Sequence, residues 1–139
     1  MNGGFGMNEA TEAQDIYTVL HAKDQSCAVM TFGHADLRHA RTIRILEKEM
    51  QQLPGQLKEP HLIVDMTGVK VVPTAILGLM LQLVADCKER NIACRFCCLD
   101  ISVKKAFELL NVNKMVDIFR TRAEALQTEW KKKHGWWPF

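Results

Sequence analysis

Apolar residues follow two rhythms along this chain: short blocks, and longer segments in which they recur every three or four positions. IYTVLH and SCAVMTF are rich in β-branched and aromatic residues and flank a turn-like AKDQ, so they predict two strands of a hairpin closed by Gly33. From about Leu37 to Gln52 the spacing becomes helical, with Ala40, Ile43, Leu46 and Met50 on one stripe and Asp36 placed to cap it. LPGQLKEP, with two prolines and a glycine, predicts a loop. HLIVDM is a continuous apolar run, the pattern of a strand buried on both faces. A second helix is expected from Ala75 to Arg90, with Ile76, Leu79, Met80, Leu83, Val84 and Cys87 on its stripe and Asn91 at its end. ACRFCCL predicts a strand, and Asp100-Ile101-Ser102 starts a short helix that turns Val103, Phe107 and Leu110 inward. MVDIF is the last strand, and a final helix is expected over about Arg122 to Lys132.

The order β-β-α-β-α-β-α-β-α predicts an α/β fold: one domain, with a mixed, mostly parallel sheet covered by helices and joined by right-handed crossovers. Residues 14–130 form that domain, between a small-residue tail over 1–13 and a basic, aromatic tail over 131–139. A length of 139 residues and a 47% hydrophobic content are enough for one real core. The net charge of +2 gives no concentrated basic face for nucleic acid. The chain lacks an apolar run of about 18 residues that could span a bilayer. With no basic, apolar leader at the N-terminus and five cysteines, an odd number, the expectation is a cytoplasmic protein with reduced thiols.

Thr74 draws attention because a hydroxyl stands where an apolar strand exit meets a helix. As a helix cap it would accept a backbone N–H and stabilise by about 1 kcal/mol, with Pro73 sharpening the turn. The same free N–H groups and positive helix end also suit a phosphate dianion, so the hydroxyl can serve as a cap or as a switch. Cys94, Cys97 and Cys98 invite a metal reading. In a strand, however, Cys94 and Cys98 would share a face that Cys97 does not, and no second pair has zinc spacing, so buried thiols and no metal are expected. His34 and His39 are five apart and would not share a helix face, and Gly3-Gly4-Phe5-Gly6 precedes no strand-helix unit that could cradle a phosphate. No catalytic set emerges, and no cofactor is expected. Trp130 is expected to pack on the domain, while Trp136 and Trp137 beside Lys131 to Lys133 leave open a weak contact with a membrane or a partner.

GHAD before the first helix, IVDMTGVKVVPTAILGLML in the middle and DISVKKAFELLNVNKMVDIF near the end together resemble the STAS domain of bacterial anti-sigma factor antagonists, over about Ile16 to Leu126. The resemblance implies a binding protein rather than an enzyme. Its partner would be an anti-sigma serine/threonine kinase of the GHKL-ATPase type, opposed by a phosphatase. The family's turn usually reads Asp-Ser-Ser-Gly-Leu-Gly, and here Pro73-Thr74-Ala75-Ile76-Leu77-Gly78 stands in its place. Carried over, the phosphorylated residue is Thr74, and the partner-binding residues are Asp36, Asp65, Pro73, Thr74, Ala75 and Gly78. Pro73 replaces the family's aspartate, and Ile76 sets a bulky side chain where a glycine is usual. Asp36 would either cap the first helix or lie beside Thr74. The resemblance also leaves an alternative, a non-switching accessory subunit of a lipid ABC-type transport complex or a ligand-binding module.

Overall fold

The computed structural model describes residues 15–130. Strands β1 (Tyr17–His21) and β2 (Ala28–Phe32) form the expected antiparallel hairpin. Helix α1 (Ala40–Gln56), β3 (His61–Asp65), α2 (Thr74–Glu89), β4 (Ala93–Cys97), α3 (Ile101–Leu109), β5 (Asp117–Phe119) and α4 (Arg122–Gln127) follow, with a 3-10 turn at Val112–Lys114. The element order is the one expected from the pattern. The strands lie side by side in chain order, and every pairing after the hairpin is parallel. Right-handed crossovers that always advance in one direction place their helices on one face of the sheet.

That face carries the main core. Leu46 and Met50 of α1, Ile76, Met80 and Leu83 of α2, and Val103 and Phe107 of α3 pack on Met30, Leu62, Val64 and Phe96. Phe96 and Phe107 meet edge to face at 5.3 Å, a favoured aromatic geometry. β3 is buried on both sides, as its unbroken apolar run requires. The other face holds a smaller cluster of Cys27, Val29, Ile63, Cys97 and Ala125, covered by α4 and Trp130. Gly33 follows β2 where a Cβ would lie 1.9 Å from the Asp15 carbonyl oxygen, so only glycine lets the two backbones pass.

Three helix boundaries differ from expectation. α1 begins at Ala40, and its cap is His39, whose ring accepts from the Arg41 N–H, not Asp36. Its buried face includes Thr42, whereas Ala40 is exposed. The helix also runs through Pro54 and Gly55. The proline falls in the last turn, where few helical bonds follow it, and burial of its ring in the core offsets the lost N–H bond. α4 ends at Gln127 because the chain turns extended at Thr128 to bring carbonyls onto Arg95. The two tail sequences, with Trp136 and Trp137, lie outside the described residues.

Arg95 organises the second face. It is 3% exposed, a rare setting for a guanidinium. Nη1 donates to the carbonyls of Ala125 and Thr128, and Nη2 to that of Glu129, each at 2.7 Å. The guanidinium lies 3.5 Å from the centroid of the Trp130 ring, which also stacks on His61 with 4.1 Å between ring centroids. Trp130 thus packs on the domain as expected.

Cys94 borders the main core and Cys97 the second face, following strand alternation. Cys98 does not rejoin Cys94. The strand has ended, and Cys98 adopts the left-handed region at φ 65°, which swings its thiol beside that of Cys97, with the sulfurs 3.4 Å apart.

Candidate functional site

In a parallel sheet the loops that leave the carboxyl ends of the strands gather at one edge, where open α/β folds place their binding surfaces. Here those loops follow β2, β3 and β4, and they are tied together. The Lys70 and Val71 N–H groups donate to the Ala35 carbonyl at 2.7 and 3.0 Å, and the Leu37 N–H donates to Val71 at 3.0 Å. Asp36 and Val71 form an isolated parallel bridge. Lys70 Nζ donates to Asp100 Oδ1 at 2.9 Å, and Ser102 Oγ donates to the Lys70 carbonyl at 2.9 Å. Asp100 also caps α3 through the Ser102 N–H, and its hydrogen bonds from Lys70 and then Ser102 bring its pKa down to about 2. Three loops from distant parts of the chain therefore present one ordered surface.

Thr74 lies at the edge of that surface, exposed. Its expected role as a cap is not what the structure shows. Pro73, extended at φ −72° and ψ 159°, occupies the cap position, and its carbonyl accepts from Ile76 and Leu77 at 2.9 and 3.0 Å. Thr74 is the first helical residue, and among the described residues its hydroxyl has no hydrogen-bond partner. Proline takes the cap because its fixed φ suits the strand exit, leaving the threonine side chain free of structural duty. Ile76 does not crowd the turn: it is wholly buried in the main core, so the bulk added in place of a glycine points away from the surface.

Ala75 and Gly78 are exposed, Pro73 is half-buried, and Gly78 stands one helical turn from Thr74 on the same face. A Cβ added at Gly78 would meet nothing within 4 Å. Glycine inside a helix costs about 1 kcal/mol relative to alanine, and here no internal contact requires it. The exposed Asp36 carboxylate turns toward Arg38, whose Nε and Nη2 donate to it at 3.0 and 2.8 Å. It is brought near the Thr74 turn through the backbone bridge to Val71, not through a bond to the hydroxyl.

Asp65 stands apart from this exposed set. Its side chain is 2% exposed. Oδ1 accepts from the N–H and hydroxyl of Thr67, and Oδ2 from Arg122 Nε at 2.7 Å. Burial pushes its pKa up, but the donated bonds from Thr67 and Arg122 outweigh that and hold the carboxyl below its ordinary value. It shapes the β3 loop from beneath. Sequence reasoning missed Lys70, Asp100 and Ile101, the last 74% exposed beside the Lys70–Asp100 pair. Asp100 was legible as a helix start, but its link to Lys70, thirty residues away, leaves no local signal.

A model of the STAS domain family matches residues 14–125. Among solved structures, an anti-sigma-factor antagonist (STAS) domain protein from Planctomyces limnophilus is similar, with a TM-score of 0.69 at 16% identity, covering 79% of this chain and 94% of its own. The anti-sigma factor antagonist SpoIIAA in its unphosphorylated form aligns with a TM-score of 0.65 at 12% identity, over 79% and 92% of the two chains. The Bacillus cell fate determinant SpoIIAA in its phosphorylated form gives 0.60 at 13% identity, over 79% and 96%. At such identities the likeness is one of fold. No curated protein sequence matches the chain. Among the described residues no helix is long and apolar enough to cross a membrane.

Proposed function

The chain belongs to the STAS domain family, and from that premise we propose that it is a cytoplasmic binding protein of the anti-sigma factor antagonist type, switched by phosphorylation of Thr74. Its partner is an anti-sigma serine/threonine kinase of the GHKL-ATPase type, with a phosphatase to reverse the mark. The protein contributes no catalysis of its own. It supplies the acceptor hydroxyl, whose oxygen takes the γ-phosphoryl group of ATP as the bond to ADP breaks. The observation that carries this reading is the exposed Thr74 hydroxyl, without a hydrogen-bond partner among the described residues, in the first turn of a 16-residue helix.

The surface around it suits a docked protein. Asp36, Pro73, Thr74, Ala75 and Gly78 line it, with Lys70 and Ile101 at its border. Free N–H groups and the helix dipole at Thr74 tolerate a dianion in the unbound protein, so phosphorylation leaves the fold intact. In the complex the same dianion, about −1.5 to −2 charges, must be desolvated against the partner, and this releases it. Asp65 acts here only by ordering the loop.

The test is incubation of the full chain with an anti-sigma kinase and ATP. One phosphate per chain is expected, and none on Thr74→Ala. Phosphate on another residue, or none on the wild type while the chain co-purifies with a membrane transport complex, would overturn the reading in favour of the accessory subunit. Gly78→Ala gives an independent check. The domain should gain about 1 kcal/mol by urea unfolding. Partner affinity should fall, because the added methyl group stands in the docking face.

A further inference from the structure

Adjacent residues in a strand point to opposite faces, so two neighbouring thiols normally diverge. Cys97 and Cys98 converge instead, and the convergence is achieved by placing a non-glycine residue at φ 65°. That conformation costs roughly 1–2 kcal/mol. The Cys98 N–H is held in place by the Phe119 carbonyl at 3.1 Å, so the turn is a fixed feature of the β4 exit. A third ligand completes the group: the sulfurs of Cys97 and Cys98 and a carboxylate oxygen of Asp65 all lie within 4.8 Å of one another. They come from the ends of the paired strands β3 and β4, where Asp65 and Cys97 are direct neighbours in register.

We propose that Asp65, Cys97 and Cys98 form a binding site for one thiophilic divalent cation of the Zn²⁺ class, distinct from the Thr74 surface. Two thiolates at the usual zinc–sulfur distance in a tetrahedral site stand about 3.8 Å apart, so the sulfurs need to open by only a few tenths of an ångström. Asp65 is held ready as a carboxylate. Arg122 and Thr67 fix its orientation, as outer hydrogen bonds do for metal-ligating carboxylates, and the Cys98 thiol hydrogen-bonds to the same carboxylate, so a cation would take the place of that bridging proton. Charge also balances. Two thiolates and one carboxylate leave one net negative charge around a divalent ion, and the Arg122 guanidinium cancels it. Cys97 is buried and Cys98 half-exposed, so the fourth position opens toward solvent at Cys98. Burial, followed by the neighbouring Cys98 thiol and the Asp65 charge, raises the Cys97 pKa. A thiol coordinates as the thiolate, so uptake releases thiol protons to solvent with no change of oxidation state.

The test uses the full chain, reduced and metal-free, titrated with Cd²⁺ while the thiolate-to-metal absorption band and proton release are followed, and Zn²⁺ as competitor. The expected result is one Cd²⁺ per chain, about two protons released, and displacement by Zn²⁺. Cys98→Ser should lose about half the band and at least about tenfold in affinity, while Asp65→Asn should keep the band and weaken binding by about tenfold. Cys94→Ser should behave as wild type. Circular dichroism verifies each fold, and the half-exposed Cys98 position carries the test if a Cys97 variant fails to fold. No saturable band in the wild type, or a band that depends on Cys87 or Cys94 rather than Cys98, would overturn the proposal. The kinase assay on Thr74 is unaffected by either outcome.

Discussion

Arg95→Ala is expected to lower the free energy of unfolding by about 3–5 kcal/mol, the cost of breaking a buried charged hydrogen-bond set. Against the 5–15 kcal/mol typical of a domain, that is a large fraction. Three carbonyls, those of Ala125, Thr128 and Glu129, lose their donors together. Trp130 loses the cation on which it lies, and with it the segment that closes the second face of the sheet. Arg95→Lys keeps a positive charge but offers a single point of donation in place of a planar fork, so it should recover only a minor part of the loss. The check is the urea midpoint of the three proteins at an unchanged denaturant slope. A loss under about 1 kcal/mol for the alanine variant would mean that water replaces the guanidinium freely, and that α4 and Trp130 are a loose covering.

Thr74→Glu is expected to separate stability from binding. A carboxylate in the first turn of α2 meets free N–H groups and the positive end of the helix, so the domain should be as stable as wild type or gain about 0.3–1 kcal/mol. Partner affinity should nonetheless fall about 100-fold, or about 2.7 kcal/mol, since the docked surface must desolvate the new charge. Calorimetry with the anti-sigma kinase reads the affinity, and thermal unfolding reads the stability. Equal affinity for wild type and variant would remove Thr74 from the interface. A parallel loss of stability would instead make it a structural residue, contrary to a hydroxyl that has no hydrogen-bond partner among the described residues.

Periodicity alone was enough to read the element order, the hairpin, the doubly buried β3 and the inward faces of α2 and α3, except at Leu110, which was expected to turn inward but follows the last residue of α3 and is 44% exposed. Burial follows the side-chain repeat of a strand or helix, and that repeat is written locally. Helix ends were less legible. Asp36 and Thr74 are good capping residues, yet His39 and Pro73 hold the caps. Pro54 remained helical because its ring found a place in the core. In each case tertiary packing outweighed a local preference, about 1 kcal/mol at the caps and about 3 kcal/mol at the proline.

The candidate site divides in the same way. Thr74, Pro73, Ala75 and Gly78 could be singled out because they form one continuous stretch at a strand-to-helix junction. The apolar stripe already pointed Ile76 inward, but that Thr74 is exposed could be settled only once the helix was seated on the sheet. The Lys70–Asp100 tie, the grip of Arg95 on three carbonyls, and the meeting of Asp65, Cys97 and Cys98 join residues that are distant in sequence or depend on one residue's unusual φ. Sequence by itself determined which elements form and which faces they bury, since hydrophobic spacing is a property of neighbours along the chain. The three-dimensional structure decided which polar groups meet, because charges and thiols find their partners through space, and no periodic pattern encodes that distance.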